Sequence, residues 1–208
     1  ISTKDSIKLL DIRSRAMQES MPIGTGGMAA LIGKTLNEID EILPDLQKYG
    51  KIYIANDNAS GQTVLAGEIS AIDFICENYK KFNIKRAIKL PVSAPFHCEL
   101  IENASLKLEN YISNQEFNNF SFPLYSNVTA ESCTEGVIKE LLVKQIINRV
   151  RWRESVENMI RDGISYFIEI GPGNVLTNLI KRINKEVKAI SISSVEDLEK
   201  IKLINSDL

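Results

Sequence analysis

The chain has 208 residues, 44% hydrophobic and 25% charged, which suits one large or two small globular domains and excludes a disordered, highly charged chain. Its 25 Lys and Arg stand against 27 Asp and Glu, a net charge of −2, so no basic surplus exists to neutralise a phosphate backbone, and nucleic acid is not expected as a partner. No apolar run approaches the roughly 20 residues of a membrane span and no charged-then-apolar leader is read, so a cytoplasmic protein without membrane attachment is the expectation. Cys76, Cys98 and Cys133 lie far apart without CxxC spacing, and neither a disulfide framework nor a metal site is expected from them.

The opening "ISTKDSIKLL" starts without Met and already in a helical pattern, which reads as a segment of something longer. In "KDSIKLLDIRSRAMQESM" a helical wheel gathers Ile7, Leu9, Leu10, Ile12, Ala16, Met17 and Met21 on a broad apolar arc opposite Lys8, Asp11, Arg15, Gln18 and Glu19. Arg13 falls inside that arc. An uncompensated guanidinium there costs several kcal/mol, so it needs an internal Asp or Glu, a substrate carboxylate, or a route to water.

After the turn "PIGTGG", "MAALIG" predicts a strand and "KTLNEIDEILPDLQKYG" a helix, with Pro44 kinking or ending it early. "KIYIAN" and "QTVLAG" predict strands joined by the turn "NASG", "EISAIDFICENYKKF" a helix and "KRAIKLP" a strand. The order from Pro22 to Pro91 is βαββαβ, the ferredoxin-like split-βαβ unit. Beyond it, "HCELIENASLKLENYIS" predicts a helix, "FPLYSNV" a strand, and "GVIKELLVKQIIN" and "WRESVENMIRDG" two helices. "ISYFIEIG" reads as a buried strand, "NVLTNLIKRINK" as a helix and "VKAISIS" as a final strand. That alternation implies a mainly parallel sheet with helices on both faces. Three segments result: a helical segment 1–21, the βαββαβ unit 22–91 and the alternating segment 92–208.

"LPVSAPFHCEL" holds the only histidine, His97. If Pro95 takes the first helical position, His97 lies in a helix's first turn, where the dipole disfavours added positive charge and leaves the neutral imidazole a general base needs. A ring satisfied by a backbone group is the other reading, and both stand at this point. Cys98 points about 100° away on such a helix, Ser93 suits a cap better than a nucleophile, and no GxSxG occurs, so a base at His97 implies a nucleophile on other sequence. "IEIGPGNVL" has Leu176 where GxGxxG needs its third glycine, and reads as a strand-to-helix turn rather than a nucleotide loop.

The blocks "LLDIRSRAMQESMPIGTGGMAALIG", "IANDNASGQTVLAG", "LPVSAPFHCELI", "FPLYSNV", "RVRWRESV" and "FIEIGPGNVLTNLIKRI" resemble, in order, successive blocks of the malonyl-CoA:acyl carrier protein transacylases and of polyketide and fatty acid synthase acyltransferase domains. The resemblance implies an α/β fold: an α/β-hydrolase-like large subdomain with a parallel sheet, incomplete at its N-terminus, carrying an inserted ferredoxin-like βαββαβ subdomain. It implies ping-pong transfer of malonyl from CoA through a serine ester to the phosphopantetheine thiol of acyl carrier protein in fatty acid synthesis, with no cofactor, malonyl-CoA as substrate and a monomeric protein. His97 matches the family base and Arg13 the malonyl carboxylate clamp. Met17 and Asn58 match acyl-pocket positions, Phe96 is typical of malonyl-selecting members, and Gln145 matches the residue whose backbone carbonyl orients the histidine. The family's serine elbow and N-terminal oxyanion loop would lie upstream of Ile1, so residues 1–208 alone are expected to be inactive. A non-catalytic fragment that binds acyl carrier protein or a partner chain is the alternative. An RNA-binding ferredoxin-like module would need exposed strand aromatics, and "KIYIAN" offers only Tyr53.

Overall fold

The computed structural model describes residues 1–200; residues 201–208, the end of the predicted 92–208 segment, lie outside the described residues. The fold is mixed α/β. Helix α1 (Thr3–Gln18) is capped by Ser2, whose hydroxyl accepts from the Asp5 amide. Next come β1 (Gly26–Ile32), α2 (Leu36–Leu46), β2 (Ile52–Ala59), β3 (Gln62–Glu68), α3 (Ile69–Asn78) and β4 (Arg86–Lys89), the βαββαβ order read from the sequence. They form a four-stranded antiparallel sheet in the order β2-β3-β1-β4. Thr35 and Glu38 close a reciprocal capping box on α2, which ends two residues after Pro44 and tightens into a 3-10 turn at Gln47–Tyr49.

Strands β1, β2 and β3 are covered on both faces, by opposite sets of alternating residues, while the edge strand β4 is largely exposed. Leu31, Ile52 and Leu65 pack with Ile39, Leu46, Ile72 and Ile75 of α2 and α3. Met28, Ala55, Val64 and Ala66 on the other face meet Cys98, Phe96 and Leu100, so the segment around His97 lies against the sheet. Gly67 permits close strand pairing, since a Cβ there would stand 2.4 Å from the Lys51 carbonyl oxygen.

Helices α4 (Glu102–Ile112) and α5 (Glu135–Lys144) follow, separated by an antiparallel pair of two-residue strands, β5 (Leu124–Tyr125) and β6 (Ser132–Cys133). The chain then runs through α6 (Trp152–Arg161), β7 (Tyr166–Ile170), α7 (Val175–Ile183) and β8 (Lys188–Ile192). A second core joins Leu9, Ala16 and Met17 of α1 to Ile101, Ala104, Leu108 and Ile112 and to Ile146 just beyond α5. Among the described residues no helix is long and apolar enough to cross a membrane.

Several expectations need correction. Parallel pairing among the described residues is confined to β7–β8 and an isolated bridge from Asn56 to Val150, and the larger sheet is antiparallel. The strand in "FPLYSNV" stops at Tyr125 because the Ser126 hydroxyl accepts from the Val128 amide and starts a turn. β7 is not buried throughout. Phe167 packs with Val156, Ile180 and Ala189, but the alternate residues Ile168 and Ile170 are 42% and 84% exposed. On α1, Ile7 and Leu10 are exposed because contact with α4 buries only the narrower stripe of Leu9, Ala16 and Met17.

Candidate active site

The loop from Pro91 to Cys98 carries the imidazole. Ala94 and Pro95 are buried, and a Cβ on Gly26 would stand 2.5 Å from Pro95 Cδ, so glycine in β1 makes room for this loop to lie on the sheet. His97 has φ +61°, the left-handed region that a β-carbon disfavours, and Cys98 after it is extended. The expected helix therefore does not begin at Pro95: a 3-10 turn occupies Glu99–Ile101 and α4 begins at Glu102. Ser93 does not cap it either, and instead accepts a hydrogen bond from the Gln18 side chain.

Nδ1 of His97 lies 2.9 Å from the backbone carbonyl oxygen of Gln145, the first residue past α5. A carbonyl can only accept, so Nδ1 carries the proton and Nε2 keeps its lone pair. Burial lowers the pKa of His97 from its ordinary value, the Gln145 bond partly opposes this, and the positive charge of Arg13 lowers it further. The ring is neutral near pH 7 for reasons of burial rather than of a helix dipole. The adjacent thiol of Cys98 donates to the Pro95 carbonyl at 3.1 Å, and burial raises its pKa to about 11, which leaves it inert beside the imidazole.

Arg13 is half-buried, and among the described residues it makes no hydrogen bond or ion pair. Burial lowers its pKa from the ordinary value, in keeping with the absence of a carboxylate partner. The internal Asp or Glu considered from the sequence is thus not found. Met17, one turn on along α1, shares a core with Phe96 and Ile146, so α1, the His97 loop and the end of α5 meet there. Asn58 sits half-buried in β2 and is not among the residues bordering the cavity beside His97.

That cavity, about 220 Å³, is lined by His97, Glu99, Tyr53 of β2, Asn148 and Arg149 among others, and the Tyr53 hydroxyl donates to the Glu99 carboxylate at 3.4 Å. The Nε of Arg149 is buried there without a hydrogen-bond partner. Apart from His97, sequence reasoning did not single these residues out as lining a site, and it also missed a pairing deeper in the fold. Asp57 of β2, 1% exposed, accepts from Arg153 of α6 through Nε at 3.0 Å and Nη2 at 2.8 Å. The available signal was the run of arginines in "RVRWRESVE", dense in charge for a stretch with Val150 and Val156 in it.

The "IEIGPGNVL" turn is a strand-to-helix connection whose own carboxylate fills the helix end: Glu169 accepts from the amides of Leu176 at 3.1 Å and Thr177 at 2.8 Å. Those amides are not free for a ligand phosphate.

No family model matches the chain. Similarity to individual proteins is extensive and uniform in kind. The chain is 39% identical over 201 residues to the malonyl CoA-acyl carrier protein transacylase of Staphylococcus aureus (strain MSSA476), covering 96% of this chain and 65% of that one. Its fold superimposes on the crystal structure of the Clostridium perfringens transacylase with a TM-score of 0.94 and 38% identity, covering 100% of this chain and 66% of that one. A malonyl-transacylase solved in complex with a type II PKS acyl-carrier protein matches with a TM-score of 0.92 and 36% identity, over 96% of this chain and 65% of that one. The fold is one shared with proteins that are named as transacylases. The chain matches proteins named malonyl CoA-acyl carrier protein transacylase over nearly its whole length, and it spans about 65% of the length of the curated relative quoted above.

Proposed function

We propose that residues 1–208 supply the general base and the carboxylate clamp of a malonyl-CoA:acyl carrier protein transacylase, whose serine nucleophile lies outside this sequence. The βαββαβ unit is read as the family's ferredoxin-like subdomain, and α1 with residues 92–208 as part of its α/β-hydrolase-like subdomain. In the first half-reaction Nε2 of His97 takes the serine proton as the oxygen attacks the malonyl thioester carbon. The C–S bond then breaks, a serine ester remains, and the proton passes to the departing CoA thiolate. In the second, His97 takes the proton of the phosphopantetheine thiol, sulfur attacks the ester carbon, and the proton returns to the serine oxygen. The Gln145 carbonyl holds the imidazole in the Nδ1–H form, the role an Asp plays in a Ser-His-Asp triad. Arg13 grips the free malonyl carboxylate through its planar fork, and Met17, Phe96 and Asn58 shape the acyl pocket.

The observation that carries this reading is the His97–Gln145 contact, which leaves Nε2 as a neutral acceptor beside an unpaired Arg13. The test is radiolabelled malonyl-CoA followed by a denaturing gel. The full-length protein should retain label as an ester, residues 1–208 alone should retain none, and His97→Ala in the full-length protein should slow transfer by several decades without unfolding it. Stable label on residues 1–208 alone, or near-normal turnover of His97→Ala, would overturn it. Acyl carrier protein bound by a full-length protein that never acquires label would leave the binding-module alternative standing.

A further inference from the structure

Gln145 orients His97 through a main-chain oxygen, so what matters is where the backbone from Gln145 to Val150 lies. One end of that connector is fixed by Ile146, fully buried in the core with Leu9, Met17 and Ile101. The other end is clipped to β2. The Val150 amide donates to the Ala55 carbonyl at 2.8 Å and the Asp57 amide donates to the Val150 carbonyl at 2.9 Å, a parallel bridge around Asn56. The side chain of the same Asp57 receives the Arg153 guanidinium, three residues past Val150, through Nε and Nη2. Arg153 turns its remaining nitrogen, Nη1, to both carboxylate oxygens of Glu157, at 3.1 and 2.9 Å. Residue 57 thus holds the end of the connector by its main chain and the first turn of α6 just beyond it by its carboxylate. A planar fork held on two sides fixes direction as well as distance, which a lone lysine ammonium does not.

We infer that Asp57 and Arg153 are positioning residues: their pairing sets the placement of the Gln145 carbonyl and through it the tautomer and orientation of His97. The inference rests on the reading of His97 as the base, and its spectroscopic consequence can be read without any transfer activity. Neither residue borders the cavity beside His97, so their effect is transmitted through the connector.

His97 is the only histidine, so a long-range proton–nitrogen correlation spectrum of 15N-labelled residues 1–208 reports one imidazole without assignment work. The native chain should show the Nδ1–H form. Asp57→Asn, which keeps shape and loses charge, and Arg153→Gln, at a position that is only partly buried, should each produce a several-fold rise in the Nε2–H population. In the full-length protein the same variants should lower kcat with little change in KM, and Arg153→Lys should restore only part of it. Folded variants that keep His97 in the Nδ1–H form would overturn the inference. Loss of the fold in both would overturn it too, since the pair would then be a determinant of folding rather than of orientation. A shifted tautomer with unchanged kcat would leave the positioning intact and count instead against His97 as the base.

Discussion

Arg13→Met separates two accounts of an arginine on an apolar stripe. Methionine keeps an unbranched apolar stem of similar length and removes the guanidinium head. Because that head has no carboxylate partner among the described residues and its pKa is lowered by burial, removing it relieves a desolvated charge and strands nothing. Residues 1–208 should therefore be as stable as before or gain up to about 1 kcal/mol, from roughly one extra buried methylene equivalent. For a chain of this size that is a rise of at most about 2–4 °C in Tm. A hidden buried counter-ion would instead cost about 3–5 kcal/mol, a difference in sign and size that urea unfolding resolves easily. In the full-length protein, losing charge-assisted hydrogen bonds worth about 1.5–3 kcal/mol should reduce kcat/KM for malonyl-CoA by about one to two decades, while acetyl-CoA, without the carboxylate, loses little. Marked destabilisation of the Met variant together with equal losses on both substrates would refute the clamp.

The lowered pKa of His97 has a stability consequence. Between its folded value and the unfolded value near 6.5 the unfolded chain binds more protons, so stability should fall as pH drops through that window and stay level above it. His97→Gln should flatten that part of the profile, and identical urea-unfolding profiles for the two proteins would contradict the assignment. Gly26→Ala would place a Cβ 2.5 Å from Pro95 and should destabilise by about 1–3 kcal/mol while shifting the His97 resonances, whereas Gly136→Ala, whose Cβ would meet only Thr134 at 3.8 Å, should be neutral or slightly stabilising by unfolding assay. Cys98, with its pKa near 11, should be the slowest of the three thiols to react with iodoacetamide in the native chain, as peptide mass mapping would reveal.

The βαββαβ unit was legible because its signals are local. Alternation in "QTVLAG", helical spacing in "EISAIDFICENYKKF" and the Gly and Pro residues between them specify element type without reference to anything distant. The remainder was harder to read where the deciding contact is remote. "ISYFIEIG" is as apolar as a core strand, yet only the face bearing Phe167 is covered, and composition carries no sign of which. The helix expected at Pro95 failed because histidine does not announce a left-handed backbone as glycine or asparagine would. Gln145 meets His97 through its main-chain oxygen, so its side-chain type says nothing of that contact, and only the family resemblance pointed to it. Asp57 and Arg153 are 96 positions apart, beyond any spacing rule.

The left-handed backbone of His97 has a consequence for how this chain would respond to selection in the laboratory. At φ +61° a glycine or asparagine sits with less strain than histidine, a difference on the order of 1 kcal/mol. A library ranked by resistance to heat or protease alone should therefore enrich Gly and Asn at position 97, while one built in the full-length protein and ranked by malonyl transfer should return only His, if His97 is the base proposed above. Sequencing the two pools after the same number of rounds would show the two pressures pulling apart at this codon, and by how much relative to ordinary loop positions such as Gly163, where both should agree.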